Sequence, residues 1–175
     1  KYRWKTLDSM YKFQYQDMSL LKNVFKFCVV RNPWQRIVSA YLEFLRALEY
    51  DQSMDYNIQN VKRLLGSQFN FERFVYFVTM ENEYIDVMHW ATQYSILINY
   101  CKTWDFEYDL IIKLENINNE FSKVKENTLI KGDLPVENVK PSYNYIDFYG
   151  NDNVVNMVGD FYDKDIKEFN YAFGD

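Results

Sequence analysis

The chain has 175 residues, with 20 Lys and Arg against 25 Asp and Glu, one His, two Cys, five Gly and three Pro. Hydrophobic residues at 48% and charged residues at 26% fit one folded domain and exclude a disordered or collagen-like chain. A formal net charge of -5 argues against a general nucleic-acid binder, so any anion must be held by a local patch.

In chain order, 25–30 (FKFCVV) is an apolar run suited to a strand buried on both faces. It stops at Arg31-Asn32-Pro33, where Pro33 suits the first position of a helix and Asn32 an N-cap. Ile37, Ala40, Tyr41, Phe44, Leu45 and Leu48 then recur at spacings of three and four, which predicts an amphipathic helix of about four turns. Further helices are expected over 58–65, ended by Gly66, and over 69–80 with Asn70 as cap. No periodicity assigns 81–99. A second strand is predicted over 108–115, with Asn116 capping a helix through Ile117, Phe121 and Val124. Residues 127–151 read as a long loop or lid. Asp152 is expected to cap a last helix whose inner face runs Val154, Val155, Val158, Phe161, Tyr162, Asp165, Ile166 and Phe169.

Strands followed by capped helices indicate an α/β layered domain, for which two strands are too few. Either strands lie in the unassigned segments or part of the sheet is outside this sequence. The longest apolar runs, 27–30 and 74–78, fall far short of the roughly 18 residues that a membrane span needs. Cys28 and Cys101 can form at most one bridge, and Cys28, inside an apolar run, is expected as a buried free thiol. His89, the single His, has no Cys or His neighbours, so no metal centre is expected.

The sharpest local signal is 31–39, RNPWQRIVS, where a strand end feeds a helix N-terminus. Such a junction offers backbone N–H groups and a positive dipole to an anion, and Arg31 adds a planar fork of donors suited to phosphate. Ser39, two turns on, supplies a hydroxyl. From Met18 to Leu42 there is no acid, while Lys22, Lys26, Arg31 and Arg36 fall in that window. On spacing alone, a plain capped helix with a surface Arg explains the same junction.

VVRNPWQRIVSAYLEFL resembles the 3'-phosphate-binding motif of sulfotransferases, in particular those that modify chondroitin, dermatan and heparan-type glycans. The resemblance continues through FNFERFVYFV and DVMHWATQY, then Cys101 and YDLIIKLENINNEF, and finally FYDKDIKEFNY at 161–171. It implies a P-loop-like three-layer domain, with a central parallel sheet flanked by helices, over residues 1–175. The implied activity is transfer of a sulfuryl group from 3'-phosphoadenosine 5'-phosphosulfate to a hydroxyl of a carbohydrate acceptor, by in-line displacement. Arg31 and Ser39 would hold the 3'-phosphate; Lys140 and Ser142, with Lys131, lie in the loop where relatives close over the nucleotide.

The family's other cofactor element, a Pro-Lys-x-Gly-x-Ser/Thr loop upstream of the 3'-phosphate motif, has no counterpart, since the glycines fall at 66, 132, 150, 159 and 174. The expectation is a domain truncated at its N-terminus, without its first strand and that loop; the alternative is a non-catalytic nucleotide- or glycan-binding member. The general base is then expected upstream of Arg31. His89 is the candidate within the chain, against a purely structural role beside Trp90, and Glu43, Asp8 and Asp17 are further carboxylates to weigh. Ala91 and Thr92 replace the Arg and Pro of many relatives, which leaves the acceptor open. Sparse cysteines and the absence of an N-x-S/T sequon favour a bacterial or viral cytoplasmic protein, whereas eukaryotic relatives point to the Golgi lumen.

Overall fold

A computed structural model describes residues 23–50, 69–80, 90–132, 134 and 143–175. It is an α/β domain in which a small parallel sheet is flanked by helices. Strand β1 (Phe27–Val30) pairs with β2 (Leu110–Lys113) in the register Phe27 with Leu110 through Val30 with Lys113. Lys26 fixes that register at the entrance: its N–H donates to Asp109 Oδ2 at 2.7 Å, and its carbonyl accepts the Asp109 N–H at 2.8 Å.

Both strands are shorter than the apolar runs suggest, and neither is buried on both faces. Val30 and Ile112 are fully buried, but Val29 and Ile111 are about two-fifths exposed. Among the described residues each strand has one neighbour, so each is an edge whose burial depends on the helices laid over it.

Helix α1 (Pro33–Tyr50) begins where Pro33 removes the N–H that a strand would need. Its inner face adds Val38, fully buried, to the predicted Ile37, Tyr41 and Phe44. Helix α2 (Phe71–Met80) starts at Asn70, whose side chain accepts the Arg73 N–H at 2.9 Å. Of the unassigned stretch, 81–89 lies outside the described residues and 93–99 opens α3 (Gln93–Trp104), capped by Thr92. After β2 a 3-10 turn, Leu114–Asn116, leads into α4 (Ile117–Asn127); Asn116 stands at the N-cap position as expected, but its side chain makes no capping bond.

The last helix differs most from expectation. Asn151, not Asp152, is the N-cap, accepting the Val154 N–H at 3.1 Å. The chain then breaks at Tyr162 into α5 (Asp152–Phe161) and α6 (Asp163–Phe169). Residues 143–151 are also not a loose lid. A 3-10 turn, Tyr145–Phe148, packs on α1, and the Tyr149 hydroxyl donates to the Trp34 carbonyl at 2.9 Å. The helix expected over 58–65 lies outside the described residues.

Among the described residues most aromatic side chains go into the core or pack against it. Tyr41 meets Phe69, Phe71, Phe74 and Phe148 with ring centroids 5.4 to 6.3 Å apart, and Trp90 meets Phe74 and Phe77 edge-on. Such tilted and edge-to-face pairs add roughly 0.5–1.5 kcal/mol each beyond the area they bury. Cys28 and Cys101 are free thiols. Burial, then the neighbouring Cys101, pushes the Cys28 thiol up to about 11, so at neutral pH it is no nucleophile.

Candidate functional site

Arg31 is the first residue after β1, half-buried at the carboxyl end of the sheet. The backbone around it is fully engaged. The Arg31 N–H donates to Gln93 Oε1 at 2.8 Å and the Asn32 N–H to Glu115 Oε1 at 2.8 Å. The Asn32 side chain accepts the Trp34 and Gln35 N–H groups at 3.0 and 3.3 Å, and the Asn32 carbonyl accepts the Arg36 N–H at 2.8 Å. Pro33 has none to offer. The expected anion site built from backbone donors is therefore already occupied by the protein's own acceptors. What remains for an anion is the side chains.

The Arg31 guanidinium fits that role. Among the described residues its one hydrogen bond runs from Nε to Gln35 Oε1 at 2.8 Å, which leaves the terminal amino groups for a phosphate. Gln35 and Ser39, four residues apart on α1, share a helix face. Ser39 is half-buried and lies about 9 Å along the axis from the helix start. Arg31, Gln35 and Ser39 thus form a polar stripe that climbs from the strand end.

Three distant segments hold this junction in place. Gln93 Nε2 donates back to the Arg31 carbonyl at 2.8 Å, so its amide pairs with the Arg31 peptide as a neighbouring strand would. Asp165, fully buried, accepts the Gln93 and Tyr94 N–H groups at 2.8 Å each, at the positive end of α3. Glu115 Oε2 accepts the Tyr171 hydroxyl at 3.1 Å, and Asn32 Nδ2 donates to the Ala172 carbonyl at 3.0 Å. Burial, then the Glu115 charge, raises the Tyr171 phenol well above its ordinary range. Arg36 Nη1 donates to the Ala91 carbonyl at 2.6 Å, and the Tyr162 hydroxyl to the Trp90 carbonyl at 2.7 Å.

The model of the sulfotransferase family matches residues 2–172. The chain belongs to the sulfotransferase family. No curated protein and no solved structure matches it at a significant level. Membership carries the family's general chemistry, sulfuryl transfer from 3'-phosphoadenosine 5'-phosphosulfate.

In this member of the family, Arg31 Nε donates to Gln35 at the start of α1, and Ser39 stands one turn past Gln35 on the same helix. His89, Lys140 and Ser142, and the carboxylates Asp8 and Asp17, lie outside the described residues. Lys131 is exposed, and Glu43 is an exposed residue that pairs with Arg46 at 3.8 Å. Among the described residues no cluster of His, Cys, Asp and Glu is arranged to hold a metal ion, and no helix is long and apolar enough to cross a membrane. A concavity of about 680 Å³, whose lining includes Lys26, Cys101, Phe106 and Asp109, sits at the opposite, amino end of the strands. Arg31 does not line it.

From sequence, Glu115 at the end of the second strand reads either as positioning a neighbour near the cofactor or as a helix-start residue favoured by the dipole, while Gln93 and Asp165 lie in matched blocks without a role of their own. Asp165 did leave a signal: an acid on the apolar face of a helix needs a buried partner. Gln93 stands in the matched block DVMHWATQY, but its structural role left no local signal, because its partner is 62 residues away and its own segment has no periodicity.

Proposed function

We propose that the chain is a sulfotransferase domain of the carbohydrate-modifying type, in a P-loop-like three-layer fold, that moves a sulfuryl group from 3'-phosphoadenosine 5'-phosphosulfate to a sugar hydroxyl. The observation that carries this reading is the Arg31 guanidinium, presented at the strand end with no partner for its terminal amino groups among the described residues and with its backbone held by Gln93. Arg31 supplies a bidentate grip on the 3'-phosphate, and Ser39, one turn past Gln35, donates a further hydrogen bond. The bound donor supplies the sulfuryl group, and the protein's part is positioning and charge stabilisation. The carbohydrate acceptor rests on the resemblance of the four sequence blocks to glycan sulfotransferases. A bacterial or viral cytoplasmic setting belongs to the same proposal.

The test is thermal unfolding with 3',5'-adenosine bisphosphate. Ligand at 100 times its dissociation constant adds about 2.7 kcal/mol to the stability of the wild-type chain. Arg31→Ala is expected to lose most of that gain while melting normally without ligand. A wild-type chain that gains nothing at millimolar nucleotide sinks the proposal.

A further inference from the structure

We infer that Gln93 is a positioning residue that aims Arg31, and that Asp165 holds Gln93 in the pose that does so. This rests on the reading of Arg31 as the ligand of the 3'-phosphate. A strand end normally leaves its last peptide free to rotate, because no neighbour continues the ladder. Here the Gln93 amide makes that ladder step: it accepts the Arg31 N–H and donates to the Arg31 carbonyl, both at 2.8 Å. The amide orientation is unambiguous, since a backbone N–H only donates and a carbonyl only accepts.

Gln93 is itself the first residue of α3, and a glutamine there has freedom to swing away. Asp165 removes it. Its buried carboxylate takes both the Gln93 and Tyr94 N–H groups, and its Oδ2 lies 3.4 Å from Gln93 Nε2. From the other side, Arg36 Nη1 draws the Ala91 carbonyl onto α1, so the segment entering α3 is tied to the same helix that carries Gln35 and Ser39. Asp165, Gln93 and Arg31 thus form one chain of hydrogen bonds from the C-terminal helix to the strand end. Its role would be to fix the direction in which the guanidinium leaves the backbone, while Gln35 fixes its far end.

The discriminating measurement is the ratio of dissociation constants for adenosine 5'-phosphate and 3',5'-adenosine bisphosphate, by titration calorimetry. Only the second ligand carries the 3'-phosphate, so a general loss of fold weakens both and leaves the ratio alone. Gln93→Leu is expected to cut the ratio about tenfold, the worth of one misaimed charge-assisted hydrogen bond. In an Arg31→Ala background the same change is expected to alter nothing further. Gln93→Asn, which keeps the amide on a side chain one methylene shorter, should fall between wild type and Gln93→Leu and serves if the leucine variant does not fold. A wild-type ratio in either Gln93 variant, with the ratio collapsed in Arg31→Ala, overturns the inference. An unchanged ratio in Arg31→Ala places the failure in the Arg31 reading instead.

Discussion

Glu115 accepts the Asn32 N–H at 2.8 Å and so joins the exits of two parallel strands whose residues stand 83 positions apart. Its second oxygen takes the Tyr171 hydroxyl, which adds the C-terminal segment to the same knot. One carboxylate therefore satisfies two donors that would otherwise be lost where the sheet ends.

Glu115→Ala leaves the fully buried Asn32 N–H and the Tyr171 hydroxyl without their acceptor. The expected cost is about 2 kcal/mol, from two donors at roughly 1 kcal/mol each. Glu115→Gln retains an oxygen for Asn32 and is expected to cost about half as much. Urea unfolding reads both as shifts of midpoint at constant slope. Equal costs for the two variants would show that the bond to Asn32 contributes nothing, and a glutamine variant as stable as wild type would show the same of the second oxygen.

Local pattern made α1 legible: Pro33, Asn32 and the spacing of Ile37, Tyr41 and Phe44 announce its start and its buried face. It failed at Asp152, because Asn and Asp both favour N-caps and adjacent Asn151 and Asp152 differ only in the backbone angle each adopts. It failed again at Tyr162, where a continuous apolar stripe spans a real break between two helices. The site was half legible. Arg31 and Ser39 stand out through residue type and spacing, but the groups that hold Arg31 act across 62 and 83 residues and obey no local period. The backbone anion site was misread for the same reason, since its donors are consumed by distant acceptors.

Alkaline pH should destabilise the fold steeply. The Tyr149 and Tyr162 hydroxyls donate to the Trp34 and Trp90 carbonyls, and burial raises both phenols above the ordinary 10.0. A raised folded pKa means the unfolded chain releases its proton first. The stabilisation is complete below about pH 10 and is lost as pH climbs above it. Each such tyrosine contributes a slope of about 1.4 kcal/mol per pH unit in that range. Tyr149→Phe should be less stable at neutral pH, by about 1 kcal/mol for the lost hydrogen bond, yet show a shallower alkaline limb. Guanidinium unfolding from about pH 8 to about pH 11 follows both effects, and parallel limbs for the two proteins would rule out the assignment.

Gly159 sets how closely α5 approaches the start of α1. A Cβ built there meets Trp34 Cζ2 at 3.4 Å, and the Trp34 indole N–H donates to the Val155 carbonyl, one turn earlier, at 3.0 Å. The indole therefore sits close against the strip of helix that Gly159 leaves bare. Alanine just fits, and it gains about 1 kcal/mol of helix propensity over glycine. Gly159→Ala is therefore expected within about 1 kcal/mol of wild type, on the stable side if the indole yields by a few tenths of an ångström. Gly159→Leu cannot be accommodated without lifting Trp34 and breaking its bond to Val155, at a cost of roughly 2–4 kcal/mol. Because Trp34 is two residues past Asn32, and Tyr149 holds its carbonyl, the leucine variant should also disturb the Arg31 junction and weaken nucleotide binding. Chemical unfolding of the three proteins gives the test. A leucine variant as stable as the alanine one would mean that the indole and α5 do not pack as closely as described.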